Sequence, residues 1–250
     1  MSFMGIGFGA GTGKYRSNAV RFNGTDTWLT RGGDLTGVVN SKILSFSCWV
    51  RKIEEGTCAI YRGDNTGVDI GIDSNEAVTV TAYNSSDAAT LYAKTSNGSI
   101  SLNTWYFIAG CFDVSDSSKF HLMINDTSSA ESPIPSLNGN SNMQMSASNH
   151  MIGSSQPSAP SSANLANMDV ADLYVNFGNY VDYSDLATRR KFIDADGKPV
   201  DLGSTGQKPT GSSPILFFSG GTNNWHTNKG TGGGFTENGT LTTSTASPSD

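Results

Sequence analysis

Charged side chains are scarce in this sequence. Asp, Glu, Lys and Arg make up 15% of its 250 residues, against about 25% in an average domain. The formal net charge is −6, whereas nucleic-acid affinity depends mainly on clustered Lys and Arg. Nucleic acid is therefore not expected as a partner. The one dense basic run, Arg189-Arg190-Lys191, is expected in the last turns of a short helix, where cations complement the helix dipole.

Cysteine and histidine are also few, with three of each. The cysteines cannot all pair within one chain, and their spacing contains no zinc-binding motif. Cys48 and Cys111 lie in alternating apolar patterns, so reduced and buried thiols are expected. His121, His150 and His226 accompany no G-x-S-x-G nucleophile motif. Each is interpreted as a surface or hydrogen-bonded residue.

Long apolar runs are missing as well. No stretch approaches the roughly 20 apolar residues that a membrane-spanning helix needs. The segment Met1–Lys14 lacks the basic start of a secretory signal, and glycines interrupt its apolar residues. We therefore expect a soluble protein that is not exported by the general secretory route and has no membrane partner.

Catalytic motifs fail on spacing or on residue type. The N-terminal GAGTGK has Phe8 where a phosphate-binding loop needs glycine, and Tyr15 where it needs Ser or Thr. Glycoside hydrolysis usually needs two carboxylic acids across the sugar, and the five glutamates form no cluster. Two aspartate pairs could hold Ca²⁺ together with nearby carbonyls, but turn or edge positions are favoured because few oxygen ligands surround them. These pairs are Asp69 with Asp73, and Asp169 with Asp172.

Alternating apolar residues are abundant. Leu44, Phe46, Cys48 and Val50 fall on one face of the run LSFSCWVR, and the other face is polar except for Trp49. A period of two predicts half-buried antiparallel strands. Turn residues separate many such runs, which is typical of a β-sandwich or barrel. The predicted strands are Ala19–Asn23, Trp28–Arg31, Ile43–Arg51, Thr57–Arg62, Val68–Asp73, Ala77–Tyr83, Leu91–Thr95, Trp105–Val114, Lys119–Asn125, Met168–Asn176 and Pro214–Ser219.

The remaining segments are predicted as one helix, loops and two ends. The pattern favours a short helix near residues 184–194, capped by Ser184, and a Ser/Asn/Pro-rich loop over 136–168. Residues 1–17 are interpreted as a glycine-rich docking arm. Residues 18–240 are interpreted as the sandwich with a C-terminal extension, and 241–250 as a peripheral polar tail. The arm carries three apolar residues that we expect to contact a neighbouring subunit: Phe3, Met4 and Phe8.

Aromatic residues outside the apolar runs are the best candidates for a ligand surface. Trp49 and Trp105 are expected in the core. Aromatic rings stack on sugar faces, so aromatic residues near turns or on polar faces could form a glycan platform. Ordinary partial burial or a subunit contact is the alternative explanation. The candidates are Trp28, Tyr83, Tyr92 and Trp225.

Several short motifs follow one another in a characteristic order and spacing over roughly residues 18–180. They are Val20-Arg21-Phe22-Asn23-Gly24, Phe46-Ser47-Cys48-Trp49-Val50, Trp105-Tyr106-Phe107-Ile108-Ala109 with Phe112-Asp113, Phe120–Asn125 and Met168–Val175. In these motifs the chain resembles the laminin-G-like, concanavalin A-like superfamily. That resemblance implies an all-β, antiparallel jelly-roll sandwich. No binding-site motif of a characterised lectin or hydrolase maps onto this sequence.

The C-terminal part resembles laminin-G-like proteins of tailed bacteriophages and prophages, in residues 197–203, 214–217 and 225–239. That resemblance implies a non-enzymatic virion protein of capsid, neck or tail, assembled in the host cytoplasm. Its expected partners are other virion proteins, further copies of itself and possible host-surface polysaccharide. A glycan hydrolase or lyase of the same superfamily and a ligand-free decoration or fibre-base protein are the two alternatives.

Overall fold

The computed structural model describes four stretches of the chain: residues 14–64, 66–129, 136–156 and 160–250. Phe3, Met4 and Phe8 lie outside these described residues. Within them the chain forms two four-residue α-helices, α1 (Leu186–Arg189) and α2 (Thr222–Trp225), and sixteen strands. The strands are β1 (Val20–Asn23), β2 (Trp28–Gly32), β3 (Ile43–Lys52), β4 (Cys58–Gly63), β5 (Val68–Ile72), β6 (Val78–Tyr83), β7 (Ala89–Lys94), β8 (Trp105–Asp113), β9 (Phe120–Ile124), β10 (Thr127–Ser128), β11 (Ser136–Leu137), β12 (Asn149–Ile152), β13 (Asn167–Phe177), β14 (Leu216–Phe218), β15 (Thr236–Asn238) and β16 (Thr242–Thr243).

The strands form two antiparallel sheets, so the predicted all-β sandwich is confirmed. The first, which we call the capped sheet, has the order β10-β9-β8-β3-β13-β1-β16, with β14 also paired to β13. The second, the open sheet, has the order β11-β7-β6-β5-β4-β12-β2-β15. Every ladder between named strands runs antiparallel, including the long pairings of β3 with β8 and β13.

The apolar face predicted for β3 packs between the two sheets. Leu44, Phe46, Cys48 and Val50 are fully buried there. Each of these positions is separated from the next by one residue, so the intervening side chains point away from the sandwich core. That opposite face is also buried: Trp49 is only 3% exposed. The alternation of β3 therefore reflects two different buried layers.

The second layer comes from residues 178–215, which we call the cap segment. Phe192 and other apolar side chains of this segment pack on Trp49, Phe107 and Tyr174 of the capped sheet. Burying one phenylalanine contributes about 1.5–3 kcal/mol to stability. Ser45 explains why this face reads as polar: its hydroxyl donates to Asn179 O at 3.0 Å and accepts from Val181 N at 2.9 Å. The cap segment thus removes one outer sheet face from solvent.

The structure confirms the position of the predicted helix, but the helix is shorter than predicted and has a different N-cap residue. The N-cap of α1 is Asp185, whose carboxylate accepts from Thr188 N at 2.8 Å. Ser184 does not cap the helix, because its hydroxyl donates to Asp182 at 2.5 Å. The helix ends early because Phe192, two residues past its C-cap, turns into the buried layer under the cap segment. The second helix, α2, was not predicted.

Two predicted non-strand segments contain strands. The loop assigned to 136–168 contains β12, which pairs with both β2 and β4 in the middle of the open sheet. The tail assigned to 241–250 contains β16, which pairs with β1 at the edge of the capped sheet. Leu241 is 4% exposed and belongs to the sandwich core. The described chain is therefore integrated into the sandwich as far as its last strand.

The segments flanking β1 and β16 hold each other in what we call the terminal clasp, residues 15–17 and 247–250. The hydroxyl of Ser17 donates to Asp172 at 2.6 Å, and that of Tyr15 donates to the same carboxylate at 3.2 Å. Arg16 forms an ion pair with Asp250 at 2.5 Å. Residues 15–17, which were interpreted as part of the docking arm, therefore pack on the sandwich. Within the described residues no helix has the length and apolar character needed to cross a membrane.

Candidate site at the open end of the sandwich

A polar cleft of about 380 Å³ lies at one end of the open sheet. Three connections form its walls: the β2–β3 connection, the β6–β7 hairpin loop and the segment after β11. Its lining consists of amides and hydroxyls without a charged side chain. Such a surface offers hydrogen-bond donors and acceptors to a neutral polar ligand. The lining residues are Asn40, Asn84, Ser85, Ser86, Asn140, Ser141 and Asn142.

The hairpin wall is shaped by an asparagine turn. The side-chain oxygen of Asn84 accepts from Ser86 N at 2.9 Å and from Ala88 N at 3.1 Å. Asn and Asp favour turns because their side chains can take such backbone hydrogen bonds. The bonds fix the side chain of Asn84 through its oxygen. Its amide nitrogen keeps two donors for a ligand.

The opposite wall is fixed in the same way. The side-chain oxygen of Asn40 accepts from Met145 N at 2.9 Å and from Ser146 N at 3.0 Å. The side-chain nitrogen of Asn142 donates to Asn40 O at 3.3 Å. Asn40 therefore keeps its amide donors and Asn142 keeps its amide oxygen. Preorganised groups of this kind bind a ligand at a lower entropic cost.

The loops that form the cleft are joined by backbone bonds. Gln144 N donates to Tyr83 O at 2.7 Å, and Asn138 N donates to Thr90 O at 3.0 Å. An isolated bridge pairs Ser41 with Met143. These bonds connect the β2–β3 connection, the hairpin and the segment after β11, so the walls are held in one arrangement.

Two of the predicted platform residues lie together beside this cleft. Tyr83 is the last residue of β6 and directly precedes Asn84 in the lining. Tyr92 lies on the neighbouring strand β7, directly opposite Thr81. By strand alternation both tyrosines face outward from the open sheet, and both are half-buried. The structure therefore places two partly accessible aromatic rings next to an amide-lined cleft.

The other two platform candidates lie elsewhere. Trp28 is half-buried on β2, at the far end of its strand from the cleft. β2 is four strands away from β6 in the open sheet, about 19 Å at the usual strand spacing. Trp225 is fully buried and contacts Phe22 and Phe218. Its prediction as an exposed ring was wrong, because α2 turns it into the sandwich core.

The sequence signals for the cleft itself were missed. Its hairpin wall is an Asn-Ser-Ser run, and its third wall is the Asn-Ser-Asn of 140–142. Both read as ordinary turn or loop composition. Only the pairing of β6, β7 and β11 brings the two runs together. A local pattern cannot reveal that arrangement.

The aspartates considered for calcium have protein partners. Asp169 on β13 is fully buried and ion-pairs with Arg21 and with Arg51, the latter at 2.5 Å. Asp172 accepts the hydroxyl of Ser17 in the terminal clasp. The carboxylate of Asp169 is therefore bound in ion pairs to neighbouring strands, and that of Asp172 is hydrogen-bonded to the segment before β1.

The second aspartate pair lies on and beside the open sheet. Asp69 pairs with Arg62 on the adjacent strand at 2.8 Å, and Asp73 pairs with Lys94 at 3.0 Å. Burial raises the pKa of Asp69, whereas Arg62 opposes that rise. Among the described residues, no three or more of His, Cys, Asp and Glu converge on a point where a metal ion could bind.

Histidines and cysteines occupy separate structural positions. His150 is fully buried, and Tyr61 OH lies 2.7 Å from its Nδ1. Burial lowers the pKa of His150 to about 4. The three cysteines are buried and unpaired, and the burial of Cys48 and Cys111 was predicted. Burial raises the pKa of Cys111 to about 11, so its thiol stays protonated at neutral pH.

Comparison with known proteins identifies a family. A family model described as the concanavalin A-like lectin/glucanases superfamily matches residues 23–176. None of the curated protein sequences compared with the chain matches it.

Several solved structures are similar to this chain, and the first of those below shares its fold. A candidate carbohydrate binding protein from Bacteroides ovatus is 12% identical, with a TM-score of 0.62 over 93% of this chain and 62% of that one. A heptameric SAP-like pentraxin from Limulus polyphemus is 15% identical, with a TM-score of 0.45 over 64% and 76%. The binding domain of botulinum neurotoxin DC, solved in complex with SialylT, is 18% identical, with a TM-score of 0.43 over 69% and 44%. The chain spans about three quarters of the pentraxin and less than two thirds of the other two.

Proposed function

We infer that this chain, which belongs to the concanavalin A-like lectin/glucanases superfamily, is a non-enzymatic carbohydrate-binding module. The observation that carries this proposal is the cleft lined only by Asn and Ser, with Tyr83 at its edge. Sugar hydroxyls both donate and accept hydrogen bonds, and amides can meet both requirements. A tyrosine ring offers an apolar face to the C–H groups of a sugar.

The fixed amides support a saccharide ligand in particular. Asn40 and Asn84 present side-chain nitrogens, while Asn142 presents an oxygen. A ligand with several neighbouring hydroxyls can satisfy all three groups at once. The description of the Bacteroides ovatus relative as a candidate carbohydrate binding protein agrees with this proposal.

Hydrolysis is not supported by this cleft. A glycosidase places two carboxyl groups about 5–10 Å apart across the scissile bond. The cleft lining contains neither Asp nor Glu. We therefore propose binding without bond cleavage.

A glycan array followed by isothermal titration calorimetry tests the proposal. The informative variant is Asn84→Asp, because an aspartate oxygen still supports the turn while the two amide donors are lost. We expect the affinity for array-positive glycans to fall at least tenfold. The matched control is Asn97→Asp, which makes the same change in an exposed turn beyond the far end of β7. An array without hits, or equal affinities for both variants, would contradict the proposal.

We further propose that this module belongs to a bacteriophage or prophage particle that assembles in the host cytoplasm. The resemblance in residues 197–203, 214–217 and 225–239 supports this assignment. Residues 1–13 would then contact other virion proteins or further copies of the chain. Deleting residues 2–13 tests that role while keeping the terminal clasp, which begins at Tyr15.

The deletion variant should remain folded and bind glycans, but it should fail to incorporate into particles. Normal incorporation would exclude the docking role of these residues. If particles lose stability without the chain and the glycan array shows no binding, a purely structural decoration or fibre-base protein is favoured.

A further inference from the structure

We propose that the ligand is an extended neutral glycan chain, which places one sugar in the cleft and continues over Tyr83 and Tyr92 on the open sheet. This inference rests on the proposed function and adds the shape and charge of the ligand. It starts from the continuity of two surfaces. Tyr83 ends β6, and the next residue, Asn84, is already part of the cleft lining. A chain leaving the cleft along β6 therefore meets the ring of Tyr83 first.

The position of Tyr92 extends the same track. Tyr92 is opposite Thr81, so it is diagonal to Tyr83 across the β6–β7 ladder. Diagonal neighbours in an antiparallel sheet are about 7–8 Å apart. One sugar ring stacked on Tyr83 leaves Tyr92 for another unit of the chain. The side chains of Leu91 and Ala93 are buried on the opposite face, so Tyr92 faces outward.

The strand ladder changes at this point. The register between β6 and β7 shifts between Ala82 and Tyr83, and Thr90 is fully buried there. Such bulges change the direction of side chains and increase the local twist of a sheet. The shift separates the regular part of the sheet, with Tyr92, from the hairpin that carries the cleft. The surface therefore bends from the sheet face into the cleft wall.

Two ion pairs within the protein lie beside this track on the open sheet. Arg62 pairs with Asp69 at 2.8 Å, and Lys94 pairs with Asp73 at 3.0 Å. The cleft itself is lined by neutral side chains. A sulfated chain or one rich in uronic acids would have to compete with these pairs or lose its own hydration. A neutral chain meets neither cost.

Calorimetry with neutral oligosaccharides of one to six units tests the inference. The candidate probes are homo-oligomers of glucose, galactose, mannose and N-acetylglucosamine, and the glycan array decides which of these series is titrated. We expect at least a tenfold gain in affinity between one and four units. Tyr92→Ala should remove the part of this gain that comes from units beyond Tyr83, and it should leave the affinity for the single sugar within twofold of the unmodified protein. Tyr92→Phe should retain the gain, because the ring face is preserved.

The control variant is Trp28→Ala, which removes a half-buried ring from the same sheet outside the proposed track. It should leave the length dependence unchanged. Equal affinity for one and six units, or an equal loss at every length in Tyr92→Ala, would overturn the extended-chain inference while leaving glycan binding intact. Tighter binding of sulfated or uronic-acid oligomers would overturn the neutral assignment. Absence of binding to every oligomer would instead contradict the proposed function.

Discussion

Asp172 gives the most quantitative prediction about stability. It lies in the central strand β13, at a register shift between Ala171 and Tyr174, and its backbone φ is 47°. Its side chain is buried and accepts hydroxyl hydrogen bonds from Ser17 and Tyr15. Asn is the appropriate replacement, because it tolerates a left-handed backbone and retains an acceptor oxygen. The perturbation is therefore Asp172→Asn.

The expected magnitude follows from the ionisation of this carboxyl. Burial raises the pKa of Asp172 from 3.8 to about 6, although the hydrogen bonds from Ser17 and Tyr15 oppose the rise. The more distant charges of Lys229 and Asp201 act in opposite directions. At about 1.4 kcal/mol for each tenfold change in proton affinity, this rise corresponds to about 3 kcal/mol.

The sign is set by which state binds the proton more tightly. Between pH 4 and pH 6 the folded protein holds a proton on Asp172 that the unfolded chain has released. The contribution of Asp172 to the free energy of unfolding is therefore fully present below pH 4. It decreases as the pH rises to about 6 and does not return at higher pH. The neutral variant has no such dependence. Asp172→Asn should match the unmodified protein near pH 4 and exceed its free energy of unfolding by about 3 kcal/mol at pH 7.5.

Urea unfolding at pH 4 and pH 7.5, followed by tryptophan fluorescence, measures this difference. Asp87→Asn is the matched control, since Asp87 also has a left-handed backbone, with φ of 60°, but is exposed. Its effect on the free energy of unfolding should be the same at both pH values. A constant difference between Asp172→Asn and the unmodified protein would refute the account of a buried ionised carboxylate.

Three other substitutions test the packing. Asp169→Ala should lower the free energy of unfolding by about 3 kcal/mol, measured by urea unfolding, because Arg21 and Arg51 lose a fully buried partner; a loss below 1 kcal/mol would contradict this. Gly110→Ala should cost about 1–3 kcal/mol in the same assay, because the new Cβ would lie 2.5 Å from the Phe46 ring and 2.7 Å from the Phe112 ring; unchanged stability would contradict the close packing. Trp225→Ala should lower the free energy of unfolding by about 3–5 kcal/mol, and the folded variant should keep its calorimetric glycan affinity, because this ring is buried. Loss of glycan affinity with unchanged stability would instead show that Trp225 contacts the ligand.

The regular strands could be predicted because their burial has a short period. In β6, Val78, Val80 and Ala82 are buried while the intervening residues are half-buried. That pattern depends only on neighbouring positions. The same reasoning interpreted the outer residues of β3 as a polar face. It failed for Ser45, which is fully buried, because the cap segment that bonds its hydroxyl through Asn179 and Val181 lies more than 100 residues later in the sequence.

Short strands and helices were missed for a related reason. β12 has four residues and is flanked by Ser- and Asn-rich sequence, so its own apolar signal is weak. Its pairing with β2 and β4 creates the strand. α2 contains Thr222 and two asparagines, which have little helix propensity. The burial of Trp225 against Phe22 stabilises this single turn.

The candidate site was predicted only in part. Tyr83 and Tyr92 could be selected as aromatic residues near turns, and the structure places them together. Trp28 and Trp225 had the same local signal but lie on another strand and in the core. The amides of the cleft come from three connections that are far apart in the sequence. Their grouping depends on strand order, which no single motif encodes.

Residue-resolved NMR titration tests the central claim most directly, namely that the Asn/Ser cleft beside Tyr83 binds neutral glycan. The titrant is the tightest neutral oligosaccharide from the array, and the side-chain amide signals of Asn40, Asn84 and Asn142 are the reporters. We predict that these signals and the backbone signals of 84–86 and 140–142 shift together with one saturation curve. Saturable shifts centred on Trp28 or on the terminal clasp, with the cleft amides unchanged, would contradict the account.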